Sequence, residues 1–383
     1  MIGVISKPDT HQKLQILSAD AQYDLACACG CNEEGRRRSS DGKWIYPVTL
    51  PDGGKSILFK TLLSNVCTND CKYCPLRKQM DVRRCSLSPE ETARVFLDYY
   101  NRRKVFGLFL SSGVCGLADA AMDKLNATAR ILRKRHGFRG YIHLKILPGV
   151  SNAAIEEAVS LASTVSLNIE TPGEKHLAKL SKKKSYISDI IEPIKLISRL
   201  TGRGSQYERV KQTTQFIVGA AGETDAEIVK YMTGLYERLK MNRVYFSSYQ
   251  KGLGDESITG EVSANEAEMV ERPVDNFVRE HRLYQVDFLL RKYGFEESDI
   301  VFDEKGNLSL ACDPKEAWAV RHPEAFPLNV NRAPYFELLR VPGLGPITVK
   351  QILERRKKRR IRCIEDVGKV GVRLVKARRY LVF

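Results

Sequence analysis

Short apolar runs rich in β-branched and aromatic residues recur near 57–63, 105–110, 141–146, 164–169, 213–218 and 244–249. Most stretches between them carry helical periodicity and helix start signals. Ser88-Pro89-Glu90-Glu91 is a capping box with proline at the first helical position, predicting a helix to about Tyr100. Thr224-Asp225-Ala226-Glu227 opens a helix to about Lys240 in the same way. Six alternating strand–helix units predict a parallel sheet with right-handed crossovers, either an open barrel or a doubly wound sheet.

The strand faces bear on that choice. Over 164–170, Val165, Leu167 and Ile169 share one face, and Thr164, Ser166, Asn168 and Glu170 the other. Over 141–146 the split is Ile142, Leu144 and Ile146 against Tyr141, His143 and Lys145. A parallel strand covered by helices on both faces is apolar on both. One polar face on two strands therefore predicts a wet cavity, as the inside of a barrel provides; a sheet with one solvated face is the other reading. Barrel active sites lie at the C-terminal ends of the strands.

Beyond about residue 255 the pattern turns helical, and Val274 to about Tyr293 reads as one amphipathic helix. Residues Pro334–Arg340 read as a short helix, Val341-Pro342-Gly343-Leu344-Gly345-Pro346 as a tight turn, and a second helix starts near Ile347 and ends in Glu354–Arg360. That order is the signature of a helix-hairpin-helix. Gly343 and Gly345 carry no side chain, so backbone N–H groups at the next helix N-terminus can touch a phosphate. Lys350 and the basic run that starts at Arg355 and Arg356 supply charge around that contact. A degenerate second copy follows, with Val367–Gly371 ahead of a helix through Arg379. The expected division is an N-terminal extension (1–50), a strand–helix core (51–255), a helical connector (256–325) and an all-α tail (326–383).

Charge sharpens this division. The net charge of the 383-residue chain is +16, and residues 326–383 hold 15 Lys/Arg against 4 Asp/Glu. About two-thirds of the imbalance sits in the last sixth of the chain, which points to a polyanion-binding module on a nearly neutral body. Such binding goes to the phosphate backbone and is steeply salt-dependent. A protein-docking hairpin is the alternative. No apolar run is long enough to span a bilayer, and Met1–Lys7 lacks a signal-peptide core, so the expected location is cytoplasmic, with no membrane partner. Ten cysteines in that compartment read as metal or redox chemistry rather than disulfides.

Three of them stand in Cys67-Thr-Asn-Asp-Cys71-Lys-Tyr-Cys74, just after the first strand. The spacing gathers three thiolates in one short loop. A [4Fe–4S] cube held by three protein sulfurs keeps one iron without a protein ligand, and that iron can bind a small molecule and pass it an electron. Structural zinc requires a fourth Cys or His nearby, and Pro75-Leu76-Arg77 supplies none. The alternative is a redox or zinc loop completed by a ligand from elsewhere. The arrangement, Tyr73 included, resembles the cluster loop of the radical S-adenosylmethionine (SAM) enzymes.

Longer strings narrow the resemblance. They are Lys60–Cys67, Gly107–Val114, Phe138–Lys145, Arg279–Asp287 and Asp313–Pro323. With these the chain resembles, over nearly its whole length, radical SAM proteins with a C-terminal helix-hairpin-helix, a family connected with DNA modification or repair and often encoded beside a uracil-DNA glycosylase. The resemblance implies a (β/α)6 partial TIM barrel holding a [4Fe–4S] cluster and SAM. It places Ser111, Ser112 and Gly113 at the methionine amino group, and Asn168 and Glu170 at the ribose or methionyl carboxylate. Ile217, Gly219 and Glu223 match a G-x-I-x-G-x-x-E pattern that supports the adenine, while Gln215 stands where that pattern has its first glycine. Tyr73 approaches the adenine by backbone and ring. Lys145 either neutralises a carboxylate or pairs inside the barrel.

The implied activity is radical modification or repair of nucleic acid, with DNA preferred over RNA and a flavodoxin or ferredoxin as electron donor. A nucleotide inside a duplex would have to flip out to reach the site. An RNA-modifying radical SAM enzyme and a non-enzymatic iron–sulfur DNA-binding protein are the alternatives. Cys27, Cys29 and Cys31 with Cys85 form a candidate second cluster, against an incidental grouping. Cys115 is a candidate hydrogen donor, against a small apolar filler. His281 is a candidate to face the site, against a surface or core histidine, and Cys312 and Cys363 read as structural.

Overall fold

A computed structural model of the chain describes residues 8–21, 44–49, 54–262 and 276–383. They cluster into two compact units: 1–223 with 234–272, and 224–233 with 273–383.

In the first unit a seven-stranded sheet runs in sequence order: β1 (Ile45–Thr49), β2 (Lys55–Leu62), β3 (Gly107–Ser111), β4 (Tyr141–Lys145), β5 (Thr164–Ser166), β6 (Lys211–Val218) and β7 (Arg243–Ser248). Strands β2 to β7 are all parallel, so each return needs a crossover. The helices α2 (Pro89–Asn101), α3 (Ala118–Arg130), α4 (Asn152–Leu161), α5 (Glu174–Leu180) and α6 (Glu192–Thr201) fall between strands, and α7 (Asp225–Leu239) lies between β6 and β7. The result is the curled parallel sheet of an α/β half-barrel. Its helix-facing residues, including Leu108, Leu110, Ile142, Leu144, Val165, Phe216 and Phe246, are fully buried.

Both capping boxes form. Ser88 Oγ accepts from Glu91 N at 3.1 Å while Glu91 Oε2 accepts from Ser88 N at 2.8 Å. Thr224 and Glu227 exchange the equivalent bonds. Phe96 on α2 then lies edge-on to Phe59 and Phe138, at 5.9 and 5.2 Å between ring centroids.

Three features differ from the sequence expectation. Part of the N-terminal stretch read as an extension pairs with the sheet: β1 runs antiparallel to β2, from Ile45↔Phe59 to Thr49↔Lys55. It contains Pro47, which only an edge strand tolerates. Helix α1 (Thr10–Asp20) precedes it, fixed by Lys13 Nζ on Glu91 at 3.1 Å. Second, β5 stops its ladder at Ser166, because the Thr214 hydroxyl intervenes, accepting from Ile169 N at 2.9 Å and donating to Leu167 O at 2.7 Å. Glu170 then takes a left-handed φ of 65° and rejoins β6 through Gln215 O and Ile217 N. Third, the polar inner face borders an open cavity only at the strand ends. Lower down, Thr164, Ser166 and His143 are buried. His143 Nε2 lies 2.9 Å from Ser166 Oγ, and its ring meets Phe109 at 4.5 Å, so the polar groups satisfy one another without solvent.

The second unit is mostly helical: α8 (Asn276–Lys292), α9 (Pro314–Arg321), α10 (Tyr335–Arg340), α11 (Pro346–Lys358) and α12 (Val372–Arg378), with a small parallel pairing of Leu328–Asn329 and Leu381–Val382. Its core includes Leu338, Leu339, Val341, Val349, Ile352, Val367 and Ala377. Gly343, in the turn between α10 and α11, has φ 90°, and a Cβ there would run into the Arg373 carbonyl. Internal packing against α12 therefore requires this glycine. Gly345 is the N-cap of α11, and an added Cβ there would make only an ordinary contact, with Tyr293 Oη at 3.6 Å.

Lys315 is buried here and donates to Leu339 O at 2.8 Å and Leu344 O at 2.5 Å, tying α9 to α10 and its turn. Lys315→Met should lower the stability of this unit by roughly 2–4 kcal/mol, since two buried carbonyls lose their donor. Thermal unfolding of the variant checks it, and an unchanged midpoint would refute this role.

Candidate active site

The loop from Cys67 to Cys74 is held from every side. Thr68 N donates to Val114 O and Lys72 N to Leu180 O, both at 2.8 Å. The Asp70 carboxylate accepts from Ser181 Oγ at 2.5 Å and Lys182 N at 2.9 Å. Arg77 donates to the Cys74, Leu253 and Gly254 carbonyls at 3.0 to 3.2 Å. Arg84 spans the carbonyls of Asn65, Leu76, Arg77 and Met80 at 2.5 to 3.0 Å. Each arginine places a rigid fork of donors on backbone oxygens that no helix or strand satisfies.

Cys67, Cys71 and Cys74 all line one cavity of about 200 Å³ at the C-terminal ends of the strands. Burial pushes the Cys74 thiol up to about 12, with the charge of Cys71 adding to it. Burial also raises Cys71, and the Lys184 ammonium opposes that rise. Thiols this reluctant to ionise become ligands when a metal stabilises the thiolate. Among the described residues no three His, Cys, Asp or Glu side chains are arranged around a single ion. Among the described residues no fourth Cys or His lines the cavity. This donor set fits a cluster with an open iron better than structural zinc, which is closed by four ligands.

Tyr73, Ser111, Ser112, Gly113, Lys145, Asn168, Glu170 and Ile217 line the same cavity as the thiols. Gly113 has a packing reason: a Cβ would stand 2.5 Å from Val66 O and 3.2 Å from Cys67 Cβ. Gly113→Ala should therefore push the thiol loop outward, costing about 1–3 kcal/mol by overpacking. Reduced iron content per chain after reconstitution, with a lower unfolding midpoint, is the expected result; wild-type values in both would refute it.

Glu170 is the hub of a polar cluster beside the thiols. The Tyr73 hydroxyl donates to Glu170 Oε1 at 2.8 Å, Lys184 Nζ lies 3.4 Å from that hydroxyl and 3.9 Å from the carboxylate, and Asn168 Nδ2 is 3.5 Å from Glu170 Oε2. Burial and the charge of Glu170 hold the Tyr73 hydroxyl in its neutral form. The left-handed backbone at Glu170 turns this carboxylate inward, a strain of the kind found at functional sites.

Other expected residues fall elsewhere. Gly219 is not in the cavity wall; it has φ 89° and its N–H donates to Glu223, whose other oxygen accepts from Ala221 N at 3.0 Å. Glu223 thus shapes the loop after β6. Cys115 is exposed and outside the wall, so it is neither facing the cavity nor an apolar filler. Cys85 lies outside the wall with its Sγ 3.9 Å from Lys13 O, and Cys27, Cys29 and Cys31 lie outside the described residues. His281 and Cys363 are exposed, and Cys312 is partly buried. Sequence reasoning missed Lys184, Arg77 and Arg84. Lys184 follows two other lysines in a run that reads as solvated surface, and only the chain path turns it inward.

In the second unit, Lys350 and Arg355 are exposed on α11. Arg355 also donates to Asp366 O at 2.5 Å. Arg356 turns inward, donating to Ala333 O at 2.7 Å and Val330 O at 3.3 Å, and so differs from the purely external charge expected of it. The reason is that the ends of neighbouring segments leave carbonyls without backbone partners.

A curled parallel sheet with a three-thiol loop after its first parallel strand defines a class of iron–sulfur enzyme. Residues 61–233 match the family model of the radical SAM superfamily. That superfamily uses a [4Fe–4S] cluster and SAM. No curated protein matches the chain. Among solved structures it is similar to HydG, a maturase of the [FeFe]-hydrogenase, at 13% identity and TM-score 0.44 over 60% of this chain and 49% of that one. It is similar to methylornithine synthase (PylB) at 15% identity and TM-score 0.44, over 60% and 62%. Streptococcus suis SuiB matches at 11% identity and TM-score 0.43, over 62% and 48%. The chain spans about half the length of the HydG and SuiB structures. No helix among the described residues is long and apolar enough to cross a membrane.

Proposed function

We propose that this chain is a radical SAM enzyme that modifies or repairs nucleic acid, DNA in preference to RNA. In this reading Cys67, Cys71 and Cys74 would hold the cluster, and the rest of the cavity wall would receive SAM. When bound and reduced, the cluster supplies the electron that splits SAM into methionine and a 5′-deoxyadenosyl radical, which removes hydrogen from an unactivated C–H bond. The chain's own residues bind, orient and exclude water. Ser111, Ser112 and Gly113 receive the methionine amino group, with Lys145 for its carboxylate. Asn168 and Glu170 take the ribose hydroxyls, and Tyr73 and Ile217 flank the adenine, with Gly219 shaping the loop beyond. Leu62, Val114, Ile146 and Leu167 in the wall keep the site dry, which confines a radical to its target.

The observation that carries the substrate class is the excess of basic residues in the last sixth of the chain, supported by the α10–turn–α11 arrangement. We read this as a helix-hairpin-helix grip on the phosphate backbone through Gly345, Lys350, Arg355 and the basic residues after it. Gly343 and Arg356 support it from within. The comparisons supply no argument for this substrate. A flavodoxin or ferredoxin as reductant, a functional link to a uracil-DNA glycosylase and a cytoplasmic setting belong to the same reading.

The test is anaerobic, reconstituted, reduced protein given SAM with DNA or RNA. Formation of 5′-deoxyadenosine, accelerated more by DNA and with label transferred to it, is expected. Greater acceleration by RNA would move the substrate to RNA, and an inert cluster would leave a non-enzymatic binding protein.

A further inference from the structure

The inner face of β6 presents Thr213, Gln215 and Ile217, alternating with Thr214, Phe216 and Val218 on the outer face. Gln215 lines the cavity beside Ile217 and is 5% exposed. Its main-chain carbonyl accepts from Glu170 N at 3.0 Å, but among the described residues its side-chain amide makes no hydrogen bond. Thr213, one step deeper on that face, is also buried, and its hydroxyl has no partner. Buried amides are nearly always paired, so one aimed into a cavity and unpaired marks a place for a ligand.

We propose that the Gln215 amide is a specificity-determining group that hydrogen-bonds the edge of a heterocyclic base brought into this cavity. A primary amide offers a donor and an acceptor side by side in one plane, the pattern that pairs with base edges such as adenine N6 and N7. It is uncharged, so it selects by hydrogen-bond pattern and not by attraction to phosphate. Strand β6 also holds it rigidly: Phe216 stacks on Phe246 of β7 at 6.2 Å behind it. Ser247, the register partner of Ile217 on β7, lines the same wall and adds a hydroxyl. The inference rests on the nucleic-acid reading above.

The test uses reconstituted holoenzyme with SAM and short single-stranded DNA oligonucleotides differing at one base. Wild type is expected to prefer one base over the poorest by about tenfold or more. Gln215→Leu should level the four affinities while the salt-dependent, base-independent part remains. Gln215→Glu keeps the shape, exchanges the donor for an acceptor and should reorder the preference, so the proposal stays testable if the leucine variant fails to fold. Retained preference in both variants overturns it. So does a roughly tenfold weaker SAM affinity with base preference intact, because the amide would then serve the adenine of SAM. Binding without base preference in wild type overturns the proposal alone. No binding of any oligonucleotide overturns it together with the nucleic-acid reading.

Discussion

Replacing Cys67, Cys71 or Cys74 by alanine removes the iron chromophore and reduces 5′-deoxyadenosine formation to background. Among the described residues no other cysteine lines the cavity to replace a lost thiol. Loss of one leaves two ligands for four irons, too few to hold a cube against solvent. The surrounding loop should survive, because Arg77, Arg84 and Asp70 hold it through backbone atoms and not through sulfur. Circular dichroism should therefore stay at wild-type level while iron and sulfide per chain fall. Addition of SAM to the reduced wild-type protein should change its electron paramagnetic resonance spectrum. Zinc in place of iron, or a spectrum indifferent to SAM, would remove the basis for the proposed chemistry.

Changing Lys350, Lys358 and Arg360 together to glutamine weakens binding to nucleic acid and flattens its salt dependence. All three are exposed and, among the described residues, their side chains make no hydrogen bond or ion pair. Affinity should fall roughly tenfold or more at low salt, and the slope of log K against log salt by about 0.9 for each duplex phosphate no longer neutralised. Arg356 behaves differently, because it caps the Ala333 and Val330 carbonyls. Arg356→Gln should lower the unfolding midpoint more than it alters the salt slope. An unchanged slope in the triple variant would mean that the basic end serves another partner.

Much of the first unit was legible because its signals are local. The contrast between strand and helix periodicity marked six strands, and the capping boxes at Ser88 and Thr224 marked helix starts. Strand β1 was not legible: five residues with an internal proline do not announce a strand, and its pairing depends on β2 arriving alongside. Of the site, the thiol loop and the ends of β3 to β6 could be read as candidates from spacing and facing. The cysteine at 115 could not be placed, because its side-chain direction is set by the turn after β3.

The amino-acid sequence by itself determined the alternation of strands and helices, the three-thiol loop and the concentration of positive charge at one end. These depend on neighbours within a few residues. Only the tertiary structure decided that Tyr73 meets Glu170 from 97 positions away and that Lys184 lies 3.4 Å from the Tyr73 hydroxyl. It also decided that Arg356 turns inward and that Gln215 faces an open wall. Such meetings depend on sheet register and chain path, and no residue's own propensity encodes them.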